Sequence, residues 1–139
     1  MKNAKNIILS GLVAGVAMLI AAMIIDFALR SVFPSITIEY NNAAIFRPMA
    51  DPLMKFMFVQ PFIVGMIMAW IWDSTKKMFG ENDVKRAMNF GLVYGLVTLP
   101  GMFMSHTSFS ISLLMTLSWW ISMIIQGVTA GCVFVKMNK

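Results

Sequence analysis

The chain has one cysteine and one histidine. With Cys132 alone, no intrachain disulfide and no thiolate metal cluster can form, which excludes disulfide-exchange chemistry. With His106 alone, haem lacks a second histidine ligand, and neither HExxH nor Cys/His spacing exists for zinc. Charge is scarce as well. Charged residues make up 12% of the chain, against roughly 25% in a soluble domain, too few to coat a surface that faces water. Phosphate-binding glycine loops, GxSxG turns and paired carboxylates on one helix face are missing too. No enzyme class is indicated, and no motif calls for a cofactor.

Apolar residues are what the chain has in abundance, at 59% with a mean hydropathy of +0.78. They form four runs, Ile7–Leu29, Met54–Trp72, Ala87–Met104 and Ile111–Val135. Helices of about 18 to 25 residues rise about 27 to 37 Å, enough for a hydrocarbon core of about 30 Å. The expected fold is an all-α integral membrane protein, a bundle of four transmembrane helices forming a single domain over residues 1–139. Lys2 and Lys5 before the first run resemble the start of a signal peptide. The apolar run is too long for one, and Ile24–Ile25–Asp26 offers no small-residue cleavage site, so a retained span is expected.

The net charge of +5 follows from topology. Lys2 and Lys5 precede span 1; Lys76, Lys77, Lys85 and Arg86 lie between spans 2 and 3; Lys136 and Lys139 follow span 4. The opposite side has only Arg30, Arg47 and Lys55. The positive-inside rule then puts both termini in the cytoplasm of a cell-membrane protein. The basic residues are those that topology requires, so nucleic acid is not an expected partner.

Small residues four apart mark every span: Gly11 and Gly15, Gly65 and Ala69, Gly91 and Gly95, Gly127 and Gly131. In lipid, helices associate where small side chains let backbones approach, so these positions are expected to pack helices together. They also suggest self-association or a membrane-protein partner besides the lipid bilayer. A shift of 80 residues aligns Lys5 with Lys85, Gly11–Leu12–Val13 with Gly91–Leu92–Val93, Gly15 with Gly95 and Leu19 with Leu99. Spans 2 and 4 share mainly Gly65 with Gly127. Two parallel two-helix repeats are therefore expected, related by an axis along the membrane normal.

The first outer loop, about Ser31 to Asp51, is long for a compact bundle, and such loops usually carry structure or function. Ser35–Tyr40 alternates as a short extended segment would, and Asn42–Phe46 reads as an interfacial turn with Phe46 dipping into lipid. Asp51–Pro52 reads as cap and first residue of span 2. Gly80–Glu81–Asn82–Asp83 reads as a turn capping span 3. Ser105–Ser108 reads as a tight outer turn whose serines cap span 4. Trp70 and Trp72 look like interface anchors, whereas Trp119 and Trp120 suit either an anchor or the wall of an outward cavity.

Ionisable and polar groups near the outer boundary are the candidate ligand-binding residues: Asp26, Arg30, Glu39, Arg47, Asp51, Gln60 and His106. Charged groups at span depth are often functional, though Asp26 and Arg30, four apart, also suit an interfacial ion pair. In span 4, Ser118, Ser122, Gln126 and Thr129 share one stripe, which Gln60 and Asn89 are positioned to meet. It reads as an interhelical hydrogen-bond seam or the lining of a narrow polar path. Methionine is frequent, at 15 residues. Met102, Met104 and His106 at the outer rim offer thioether and imidazole ligands that suit Cu(I), while methionine is also a flexible apolar filler. The leading expectation is a small protein that transports or binds a solute or ion at its outer face. A scaffold packing through its GxxxG faces is the alternative, with copper handling or an intramembrane enzyme third.

Overall fold

A computed structural model describes residues 4–137, so Lys2 and Lys139 of the topology argument lie outside the described residues. Helix is the only regular structure among them. The elements are α1 (Ala4–Val32), α2 (Pro34–Tyr40), a 3₁₀ stretch Pro52–Phe58, α3 (Gln60–Thr75), a second 3₁₀ stretch Lys76–Phe79, α4 (Asp83–Ser108) and α5 (Leu113–Met137). Four runs, Ala4–Val32, Pro52–Phe79, Asp83–Ser108 and Leu113–Met137, are long and apolar enough to cross a membrane. This is the make-up of a multi-pass membrane protein.

Proline sets several boundaries. The residue before a proline is driven out of the helical region. Phe33, at φ −123° and ψ 82°, ends α1, and Pro34 opens α2. The extended segment expected at Ser35–Tyr40 is therefore a helix. An isolated strand here would leave its backbone groups unpaired, whereas a helix pairs them internally. The alternation of Ile36 and Ile38 was misleading: Ile36 is 1% exposed and Ile38 73%.

Asp51 caps the chain as expected, its Oδ1 accepting from Leu53 N at 2.8 Å, but the helix it caps is 3₁₀. α-Helix begins only at Gln60, with Pro61 in the first turn. Pro61 has no N–H to bond a carbonyl of the preceding turn, so the two helix types meet there.

Between α3 and α4, Gly80 takes φ 128°, a conformation that disfavours side chains. Asn82 Oδ1 accepts from Lys85 N at 2.8 Å, the expected cap. Arg86 Nε donates to Gly80 O at 2.9 Å, and Asn89 Nδ2 donates to Phe79 O at 2.8 Å, fastening the turn to α4.

The turn expected at Ser105–Ser108 is not there. Ser105–Ser108 is the last turn of α4, where Ser105 and Thr107 hydroxyls donate to Gly101 and Phe103 carbonyls of their own helix. The connection is Phe109–Ser112, and Ser112 Oγ accepts from Met115 N to cap α5.

The helices are arranged in the order α3–α1–α5–α4. α1 and α5 pack along each other, α3 flanks α1 and α4 flanks α5. Glycines make the flanking contacts close. A Cβ added to Gly11 would lie 2.7 Å from Met66 Cα, and one on Gly15 2.8 Å from Phe62 Cα. On the other side, a Cβ on Gly131 would lie 2.8 Å from Ala87 Cα and one on Gly127 3.0 Å from Gly91 Cα. Gly65 faces the α1 backbone, Gly91 faces Val128, Gly95 faces the Ile124 side chain, and Ala69 is fully buried.

Two apolar clusters fill the bundle. At the end that carries Lys5, Lys77, Lys85 and Lys136 (the basic end), Trp72 is 1% exposed. Its ring centroid lies 5.2 Å from that of Phe90, 5.9 Å from Phe134 and 6.1 Å from Phe79. The expected interface anchor is thus a core residue, because α3 and α4, otherwise apart, meet across it. Trp70 remains exposed. At the opposite end (the loop end), Ile36, Ile111 and Met115 form a smaller core beneath α2.

Candidate functional site

Asp26 and Arg30 stand one turn apart at the loop end of α1, and Arg30 Nε lies 2.8 Å from Asp26 Oδ2. The same guanidinium sits 4.1 Å from the centre of the Tyr40 ring. The ring is held in turn by α5, where Trp119 Nε1 donates to Tyr40 Oη. Phe46 closes the group, 5.4 Å from Tyr40 and 6.0 Å from Trp119 between centroids. Phe46 therefore packs inward on two aromatic rings instead of dipping into lipid. Its turn is shaped by Asn42, whose Oδ1 accepts from Ala44 N at 3.0 Å. Glu39 Oε2 accepts from Ser112 N at 3.0 Å, tying α2 to the start of α5. Burial pushes the Tyr40 hydroxyl above its ordinary pKa, against the opposing pull of Trp119 and Arg30. The ion pair, the ring contacts and the hydrogen bonds of this cluster together make a tie between α1, α2 and α5.

Arg47 and Asp51 pair separately, Nη1 to Oδ2 at 3.0 Å, within the loop that leads to the 3₁₀ stretch. The Leu53 N–H, and after it Arg47, holds the Asp51 carboxyl below its ordinary range. Gln60 is exposed at the start of α3. These residues share one end of the bundle without converging on one pocket.

His106 lies elsewhere, with α5 between it and Asp26. Its Nδ1 is 3.3 Å from Thr116 Oγ1, across the α4–α5 hairpin. Both residues border a cleft of about 140 Å³, to which only apolar atoms are presented. Leu99, Met102 and Phe103 of α4 form one wall; Leu113, Leu117 and Trp120 of α5 form the other. Trp120 Nε1 donates to Gly95 O at 2.8 Å, which locks the indole as a fixed wall. Leu99, Phe103, Leu113 and Leu117 are themselves exposed. The cleft therefore opens sideways, through the apolar surface that lipid would cover.

The stripe on α5 makes no seam between helices. Ser118 Oγ donates to Met115 O, Thr129 Oγ1 to Ile125 O, and Gln126 Nε2 to Ser122 Oγ at 3.0 Å. The buried members satisfy themselves along their own helix, since the glycines beside them bring backbone, not polar side chains, from α4. Gln60 and Asn89 do not reach the stripe: one is exposed, and the other bonds Phe79 O.

Met102 and His106, four apart, both line the cleft, but Met104 is 61% exposed on another face. The three do not gather as ligands. Among the described residues there is also no group of three or more His, Cys, Asp or Glu able to hold a metal.

Thr116, Leu113 and Leu117 were missed as site residues. A hydroxyl facing the lone histidine across a short helix hairpin was the available signal. No family model, no curated protein and no solved structure matches the chain.

Proposed function

We propose that the chain is a small multi-pass membrane protein that binds a small, mostly apolar molecule between α4 and α5 at the loop end. The observation that carries this reading is the cleft of about 140 Å³ between the two helices, whose lining is apolar throughout. A dry cavity of about 150 Å³ lined by Leu, Ile and Phe accepts a benzene-sized guest. Binding pockets are lined mostly by apolar side chains. The sideways opening supplies a route from the bilayer, where such a guest concentrates.

Two rival readings lose support. A solute path would need polar side chains facing one another across the bundle, and the stripe of Ser118, Ser122, Gln126 and Thr129 is engaged on its own helix. A scaffold acting through its small-residue faces would present them outward, and here the chain's own helices cover them. Any partner or second copy would meet other surfaces. The basic end is cytoplasmic in this proposal, with the loop end opposite. The hairpins α1–α3 and α4–α5, each closed through glycines, support a duplication, although α1 packs on α5 without an equal contact between α3 and α4.

The test is protection of a thiol at the cleft mouth. With Cys132 replaced by Ala, Leu113→Cys should be alkylated more slowly when toluene is added, and Leu96→Cys, on an exposed face, should not change. Equal rates at Leu113→Cys with and without toluene would refute the site.

A further inference from the structure

Charge is shared unequally between the two ends of the bundle. Among the described residues, the loop end sets Arg30, Arg47 and Lys55 against Asp26, Glu39 and Asp51, and the charges cancel. The basic end sets Lys5, Lys76, Lys77, Lys85, Arg86 and Lys136 against Asp73, Glu81 and Asp83, and is left with three positive charges in excess. The pairing differs as well. At the loop end, Arg30 and Arg47 are held by Asp26 and Asp51 at 2.8 and 3.0 Å. At the basic end Lys76 and Arg86 have looser acid partners, at 3.6 Å from Asp73 and 3.8 Å from Asp83. Lys5, Lys77, Lys85 and Lys136 are exposed, with no acid in ion-pair range among the described residues. Orientation alone does not call for this excess, because the positive-inside rule counts lysine and arginine and is almost indifferent to acids.

The fold puts two of these lysines at the end of each hairpin. Gly11 meets Met66 and Gly15 meets Phe62, so α1 and α3 run antiparallel and Lys5 stands level with the end of α3, from which Lys77 follows. Gly127 meets Gly91 and Gly131 meets Ala87, which brings Lys136 to the same end as Lys85 at the start of α4. Arg86 Nε on Gly80 O and Asn89 Nδ2 on Phe79 O pin the link between Lys77 and Lys85. Trp70, shortly before Lys77, is 63% exposed, and exposed indoles favour headgroup depth. The four lysines therefore sit where the spans leave hydrocarbon, at the level of lipid phosphates.

We propose that Lys5, Lys77, Lys85 and Lys136 bind the phosphate groups of anionic phospholipids, gathering such lipids around the basic end of the bundle. This surface depends on the chain spanning a bilayer and is independent of the cleft. A lysine close to a membrane surface favours anionic over zwitterionic lipid by roughly 5-fold. Headgroups come to each lysine separately, from whichever side of the bundle it faces. A nucleic acid or an acidic protein needs a continuous basic track, and Glu81 and Asp83, exposed on the link between Lys77 and Lys85, interrupt one.

The experiment places the whole chain in phosphatidylcholine vesicles with a trace of lipid spin-labelled on its acyl chain, either phosphatidylglycerol or phosphatidylcholine. The fraction of each label that the protein immobilises is measured. Both leaflets carry label, so the result does not depend on orientation. Phosphatidylglycerol should be favoured roughly 3-fold overall, the average of roughly 5-fold at the basic end and no preference at the balanced loop end. The preference should fall toward unity at about 1 M salt, where the Debye length is about 3 Å. It should fall likewise in the quadruple variant Lys5→Gln, Lys77→Gln, Lys85→Gln and Lys136→Gln, and stay unchanged in Lys55→Gln at the loop end. The salt series needs no substitution, so the test stands even if the quadruple variant fails to fold. No preference at low salt, a preference that survives the quadruple change, or equal loss in Lys55→Gln overturns the proposal. Loss of the preference when phosphate replaces chloride at equal ionic strength also overturns it, by assigning the lysines to a soluble anion. Failure to immobilise either label refutes the spanning on which the surface depends.

Discussion

Tyr40 does three things at once: its ring carries the Arg30 guanidinium, its face packs on Phe46, and its hydroxyl accepts the Trp119 proton. Tyr40→Phe removes only the last. The half-buried Trp119 N–H then loses its partner, and leaving such a donor unpaired costs about 1–3 kcal/mol. Thermal unfolding in detergent should show a lower midpoint for Tyr40→Phe, and an unchanged midpoint would mean the bond contributes nothing. A pH scan gives a second readout. Burial raises the folded-state pKa of Tyr40, so its contribution is complete below the ordinary tyrosine value of 10.0 and is lost as pH rises through the folded value. Wild type should therefore lose stability more steeply than Tyr40→Phe as pH rises above 10.0 toward the folded value, a comparison that subtracts the other tyrosine.

Glycines of the long helices are not alike in what they do, and the contacts between elements separate them. Gly11 faces the backbone of α3, where nothing can move aside cheaply, so Gly11→Ala should force α1 and α3 apart. Overpacking of this type costs about 1–3 kcal/mol. Gly101 on α4 has no atom within 4 Å of where its Cβ would stand. Gly101→Ala should be neutral or stabilising by up to about 1 kcal/mol through helix propensity. Unfolding midpoints of the two variants test the pair. If both shift alike, close backbone approach is not what joins α1 to α3. The same distinction explains why GxxxG spacing pointed to helix contacts without revealing which helix each one meets.

For the molecule as a whole, the distribution of charge makes the orientation testable. In the Cys132→Ala background, Ser35→Cys on exposed α2 should react with an impermeant thiol reagent in intact cells, and Lys77→Cys should be shielded until the membrane is opened. Reversed labelling would invert the topology and place the cleft in the cytoplasmic half of the membrane, without altering its lining.

Much was legible in the residues alone because the governing interactions are local or depend on the solvent. Four apolar runs of spanning length follow from composition along the chain, and the caps at Asp51 and Asn82 follow from side chains that bond their own backbone two or three residues on. The ion pair of Asp26 and Arg30 is a one-turn relation on a single helix. What the sequence left undecided depends on which helices become neighbours. The order α3–α1–α5–α4 puts α5 between Asp26 and His106, so polar groups that share one end of the bundle fall into separate places. It brings Phe79, Phe90 and Phe134 around Trp72, and so turns an apparent interface residue into core. It also pairs His106 with Thr116 across the α4–α5 hairpin and leaves a cleft beside them. Periodicity assigns a residue to a face of its own helix; only the packing of one helix on another determines what that face meets.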